Sequence, residues 1–124
     1  MEIFEQKEVL RSFEILVDRR EQPTERSRKR MESFEVPYSP ATLSYGDYAY
    51  NATLPNGSRI YDVSTTINPI CAVERKMDLD ELARCFAQGR QRFQREFERA
   101  TDQGCRIYLL CENASWENLI NGKY

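Results

Sequence analysis

The sequence predicts an α/β fold in which helices flank a mixed central sheet. Three observations carry this reading. Residues 13–17 and 105–111 are short runs of strand length, apolar but for Glu14 and Arg106. Two extended runs, 45–50 and 59–63, lie on either side of Asn56-Gly57, a pair that tolerates the positive φ values of a tight turn. Leu79, Leu82, Ala83, Phe86, Phe93, Phe97 and Ala100 recur with helical spacing and make one apolar face.

Taken in order, residues 1–12 are a lead-in, either a short, weakly amphipathic helix over 2–10 or a loose segment. Residues 13–17 read as a buried strand that delivers Asp18 at its C-terminal end. Thr24, after Pro23, is placed to N-cap a helix whose apolar side is Met31 and Phe34, and Pro37 and Pro40 end it. The hairpin around Asn56-Gly57 follows. A third strand over 70–76 begins apolar and ends in Glu74-Arg75-Lys76. The longest helix is expected from about 79 to 103, with Asp78 and Glu81 as a capping box that has Asp in the Ser/Thr position. Gly89, inside it, costs about 1 kcal/mol relative to Ala and would admit close approach of another backbone. Gly104 is a natural C-cap. The largely apolar run 105–111 then reads as a central strand covered on both faces. The expected order is strand, helix, three antiparallel strands, helix, strand, in one domain over 13–124.

At 124 residues the chain can bury one modest core, and 40% hydrophobic with 31% charged residues fits a globular chain. A formal charge of −2 does not by itself announce a nucleic-acid binder. Its distribution says more. Arg19, Arg20, Arg26, Arg28, Lys29 and Arg30 crowd one segment, and Arg84, Arg90, Arg92, Arg95 and Arg99 another. Basic flanks around an acidic metal pocket would leave such a sum near zero; two solvated helix faces would do so as well. No apolar stretch is long enough to cross a bilayer, and charges interrupt residues 1–13 where a secretory signal would be apolar. The expected location is cytoplasmic. Cys71, Cys85, Cys105 and Cys111 lack CxxC spacing and the chain has no histidine, so structural zinc is not expected.

The acidic groups fall in an ordered pattern: Val17-Asp18-Arg19-Arg20-Glu21, then Gly46-Asp47, then Glu74-Arg75-Lys76, then Asp80, with Gly89-Arg90 and Gln94 further on. Each acid closes or follows a strand-like run, where a sheet can gather several carboxylates around one metal ion. Lys76, two residues beyond Glu74 on one strand, shares its face. Such a set suits metal-assisted cleavage of a phosphodiester.

This pattern resembles the XPF-type nuclease domain of structure-specific endonucleases, in the PD-(D/E)xK superfamily. The resemblance runs from about residue 14 to 112 and implies a restriction-endonuclease-like fold, DNA as partner, and Mg²⁺ or Mn²⁺ as cofactor. Asp47 and Glu74 are the candidates for direct metal ligands, with the Arg75 backbone carbonyl as a third oxygen. Asp18 would bind a second ion or hold water. Lys76 would orient or deprotonate the attacking water, or steady the phosphate. By resemblance, Arg20, Glu21, Arg75 and Asp80 surround the centre and organise it or contact phosphate. Arg90 and Gln94, four apart on one helix side, would reach the site's edge or the DNA backbone.

Each residue also has a simpler reading. Asp47 can serve a turn, Glu74 and Lys76 a weak ion pair, Asp80 a helix dipole, and Arg90 and Gln94 helix solvation. The spacer between Asp47 and Glu74 is longer than in the eukaryotic repair members, and tandem helix-hairpin-helix modules are missing. The resemblance is therefore to a small stand-alone bacterial or phage-encoded nuclease, in repair, recombination or replication. Relatives continue with a further helix and strand, so the chain is expected to be either a minimal fold or a C-terminally truncated one. An edge left open by such a missing strand would favour a homodimer. The alternatives are a non-catalytic DNA-binding or scaffolding module on the same fold, and a restriction-type nuclease with its own sequence preference.

Overall fold

The computed structural model describes residues 2–20 and 24–123. A capped helix α1 (Ile3–Arg11) leads in, with none of its residues buried. Strand β1 (Glu14–Asp18) follows, then α2 (Glu25–Glu32), β2 (Tyr38–Leu43), β3 (Tyr48–Asn51) and the two-residue β4 (Thr66–Ile67). Strand β5 (Cys71–Lys76), helices α3 (Leu79–Ala87) and α4 (Arg90–Asp102), strand β6 (Arg106–Cys111) and helix α5 (Trp116–Ile120) complete the order. No helix among the described residues is long and apolar enough to cross a membrane.

The six strands form one mixed sheet in the order β4-β2-β1-β3-β5-β6. Strands β1, β2 and β4 pair in parallel, as do β5 and β6, whereas β3 runs antiparallel to both β1 and β5. This reversal brings the entry to β3 beside the C-terminal half of each of its two neighbours. Leu16, Ala41, Leu43, Ala49 and Ile67 make one buried cluster, with Tyr61 against it. Tyr45, Ala72, Ala100 and Cys105 make a second, where α4 lies on the sheet.

Thr24 caps α2 as its sequence requires, accepting from the Ser27 amide at 3.1 Å. Asp78 likewise accepts from Glu81 N–H at 2.9 Å, but Glu81 reaches back to the Met77 amide rather than to the cap residue's own. Four expectations are corrected. Residues 38–43 are a strand in spite of Pro40. The amides of Ile15 and Arg19 donate to the Pro37 and Ala41 carbonyls, so odd-numbered residues of β2 face β1 and Pro40 presents its missing N–H to the other side. There β4 pairs only with Thr42 and Leu43, so no ladder bond is lost.

The hairpin is reduced to a turn and a single bridge, Thr53 to Arg59. Its returning arm is not a strand because the buried Asn51 side chain takes both backbone groups of Tyr61, at 3.0 and 3.1 Å, and Asp62 starts a new turn with Ser64 and Thr65. The long helix is broken at Gly89 into α3 and α4, and a Cβ there would meet nothing nearer than 3.8 Å, so no other backbone crowds it. Finally, β6 lies at the end of the sheet order, with Tyr108, Leu109 and Leu110 40–50% exposed. An apolar run marks a strand without fixing its place in the sheet.

Gly46 sets the entry to β3. Its φ is +76°, and a Cβ would stand 2.8 Å from the Ala72 Cβ and 3.1 Å from the Val73 carbonyl oxygen. Gly46→Ala is expected to cost about 2–4 kcal/mol in urea unfolding, combining left-handed strain with overpacking. Gly57→Ala, at φ +87° with open space around it, is expected to cost only about 1–2 kcal/mol.

Candidate active site

The reversal of β3 gathers residues distant in sequence. The Asp18 amide at the end of β1 donates to the Asp47 carbonyl at 2.9 Å, and the Asp47 amide donates to the Val73 carbonyl of β5 at 2.7 Å. Asp47 is therefore fixed between β1 and β5 by its backbone alone. It precedes β3 rather than ending a strand, a correction to the expected arrangement that follows from the antiparallel direction. Register places Leu16 opposite Ala49, so Leu16 and Ala49 share a face with Asp18. On β5, pairing of Tyr48 with Val73 puts Ala72, Glu74 and Lys76 on that same face.

Helices α3 and α4 cover this face and leave a cleft of about 640 Å³. Asp18, Arg20, Asp47, Glu74 and Lys76 line it from the sheet, so these five sequence-derived candidates converge. Asp18 is buried. One of its oxygens accepts from the Leu43 amide at 3.2 Å and the other from Arg20 Nε at 2.7 Å. Arg20 also donates to the Leu43 carbonyl at 2.8 Å, tying β1 to β2. Asp47 Oδ2 accepts from the Arg75 amide at 2.8 Å. Lys76 Nζ stands 3.5 Å from a Glu74 oxygen and 5.6 Å from the Phe93 ring centre, so α4 holds the ammonium from above.

The electrostatics are strained toward too much negative charge. Burial pushes the Glu74 carboxyl up to about 7, and the charges of Asp47 and Glu96 add to the shift. Burial also raises Asp47, against the opposing pull of the Arg75 amide and of the Arg75 and Lys76 charges. For Lys76 burial favours the neutral amine, but Glu74, Cys85 and Glu81 outweigh it and its pKa stands above the usual lysine value. The ammonium form is thus fixed at neutral pH.

The remaining candidates fall elsewhere. The Arg75 side chain lies on the opposite face, paired at 3.0 Å with Glu112, which Arg30 also holds at 2.9 Å. Arg75 supports the cleft through its backbone, not its guanidinium. Asp80 is exposed in the first turn of α3 and does not line the cleft. Arg90 and Gln94 line a separate shallow groove with Phe86, Phe93 and Phe97, and Gln94 donates to Glu98 at 2.9 Å. Glu21 lies outside the described residues.

Sequence reasoning missed the helical wall: Glu81, Arg84, Gln88, Arg92 and Glu96 line the cleft opposite the sheet. Their spacing by three or four residues was the available signal, a polar stripe beside the apolar one.

Among the described residues no three His, Cys, Asp or Glu side chains stand close enough to hold a metal on side chains alone. The donor set still fits an ion that needs one or two carboxylates and keeps several waters. Asp47 stands near enough to Glu74 for its charge to raise the Glu74 proton affinity. Bonds from the Arg106 and Glu112 amides to the Ile70 and Lys76 carbonyls, and from Asp47 to that of Val73, give Arg75 C=O the parity that faces β3.

Comparison with curated proteins finds no match. Comparison with family models matches the ERCC4 domain over residues 17–124. A match over nearly the whole chain, on a mixed sheet whose converging acids and lysine are those of the motif, makes this chain a member of the ERCC4-domain family, the XPF-type nucleases that act on DNA.

Proposed function

We propose that the cleft hydrolyses DNA phosphodiester bonds as a divalent-metal-dependent endonuclease. The observation that carries this is Glu74: a carboxyl raised to about 7 beside Asp47, with Lys76 already paired to it, is a site whose charge is completed by a further cation. When bound at Asp47, Glu74 and the Arg75 carbonyl, Mg²⁺ or Mn²⁺ would neutralise phosphate charge and acidify a water. The chain's own residues do the rest. Asp47, clasped by β1 and β5, fixes the position of the carboxylate pair. Lys76, held as an ammonium by Glu74 and Phe93, orients the attacking water and balances charge gathering on the phosphate. Asp18 has both oxygens engaged and so serves to aim Arg20 along the cleft rim.

Asp47→Asn, Glu74→Gln and Lys76→Ala are each expected to lower cleavage of single-stranded and branched DNA by on the order of 10²-fold or more. Lys76→Ala cutting at the wild-type rate would remove the assignment. A competing reading, a DNA-binding module without catalysis, draws on the missing three-ligand cluster. It requires that metal change nothing in the folded chain.

A pH measurement separates the two readings without any cleavage assay. Glu74 has a folded pKa of about 7 against an ordinary 4.5. Between those values the folded chain keeps a proton that the unfolded chain has released, so stability of the metal-free protein falls as pH rises through the window. The loss is on the order of a few kcal/mol. Thermal melts should show this fall for the wild type and its reduction in Glu74→Gln. At pH 8, Mg²⁺ or Mn²⁺ should raise the wild-type melting temperature and leave Asp47→Asn nearly unchanged. Identical responses from both would favour the module.

A further inference from the structure

The helical wall of the cleft carries two arginines with no assigned task. Arg84 sits in the last turn of α3 and Arg92 near the start of α4, and both line the cleft that holds Asp47, Glu74 and Lys76. The other two cations there are committed, Arg20 to Asp18 at 2.7 Å and Lys76 to Glu74 at 3.5 Å. Neither the Arg84 nor the Arg92 side chain takes part in a hydrogen bond or ion pair among the described residues, although Glu81 and Glu96 lie on the same wall. Both are exposed, so neither is needed for packing. The break at Gly89 lets the end of one helix and the start of the next present guanidinium groups to one opening.

A guanidinium left unpaired on the rim of a carboxylate cleft has one chemical complement in a DNA-cleaving site, the anionic phosphodiester. Its planar fork matches two phosphate oxygens. The geometry points to Arg84 and Arg92 as a phosphate clamp that holds the DNA backbone on both sides of the bond facing Asp47 and Glu74. This rests on the cleft being the nuclease site, and it moves the substrate contact on α4 from Arg90, which the motif implies, to Arg92. Arg90 opens onto a different groove with Gln94.

The clamp is tested by binding of fluorescein-labelled single-stranded and branched oligonucleotides to full-length protein carrying Asp47→Asn, with cleavage measured in parallel on the Asp47 protein. Arg84→Ala and Arg92→Ala are each expected to weaken binding about 10- to 100-fold and to reduce the slope of log affinity against log salt by roughly 0.7–0.9. Arg92→Lys should recover part of the affinity and all of the salt slope. Arg95→Ala, a charge removed from the same helix away from the cleft, controls for net charge. Glutamine variants at 84 and 92, with matching thermal melts, separate lost contact from lost folding. Binding within twofold of the parent for Arg84→Ala and Arg92→Ala overturns the clamp, as does a larger loss from Arg90→Ala than from Arg92→Ala. If the Asp47 protein binds DNA with this arginine dependence yet does not cut, the nuclease reading fails and the clamp stands.

Discussion

The site depends on one backbone clasp. Asp47 donates its amide to β5 and accepts from β1 through its carbonyl, and its carboxylate takes a third bond from the Arg75 amide. These three bonds tie β1 and β5 to the residue that enters β3. They exist because β3 runs against its neighbours, so that the residue entering it lies beside the C-terminal half of each. A parallel strand in that place would carry Asp47 to the far end of the sheet. The acidic cleft is thus a property of strand direction before it is a property of any side chain.

The clasp also explains how so acidic a cleft tolerates burial. The three carboxylates on the sheet side are each held: Asp18 by the Leu43 amide and Arg20, Asp47 by the Arg75 amide, Glu74 by Lys76. Burial weighs first on Glu74, and the charges of Asp47 and Glu96 add to it, so its proton affinity rises most. The lysine is in turn pinned between that carboxylate and the Phe93 ring. Phe93 itself belongs to a run of ring contacts with Phe86 and Phe97, with centroids 5.4 and 4.8 Å apart, that bridges the break at Gly89. Helix geometry and lysine position are therefore mechanically linked.

Much of this was legible in the sequence. Strand β1 delivering Asp18, the cap at Thr24, and Glu74 with Lys76 on one face all follow from period and chemistry. What was not legible has particular causes. Pro40 reads as a breaker unless the direction of its missing N–H is known, and that depends on which neighbour lies on which side. Asn51 replaces a ladder with its amide, and nothing local distinguishes it from an Asn in a turn. Gly89 reads as a cost inside a helix, and the break it permits does not follow from its residue type alone. Arg90 and Arg92 differ by two positions, about 200° around a helix, so a motif that names one arginine cannot say which of them faces the cleft.

Arg75 shows how one residue can answer to two unrelated demands. The bond it gives Asp47 comes from its peptide nitrogen, which nineteen of the twenty coded residues would supply equally and only proline would withhold. The guanidinium, on the reverse side of the sheet, bridges toward Glu112 and Arg30. This side chain can therefore change without disturbing the cleft face, provided the rear brace is rebuilt: in this chain the arginine's guanidinium buttresses the sheet while its peptide nitrogen serves Asp47.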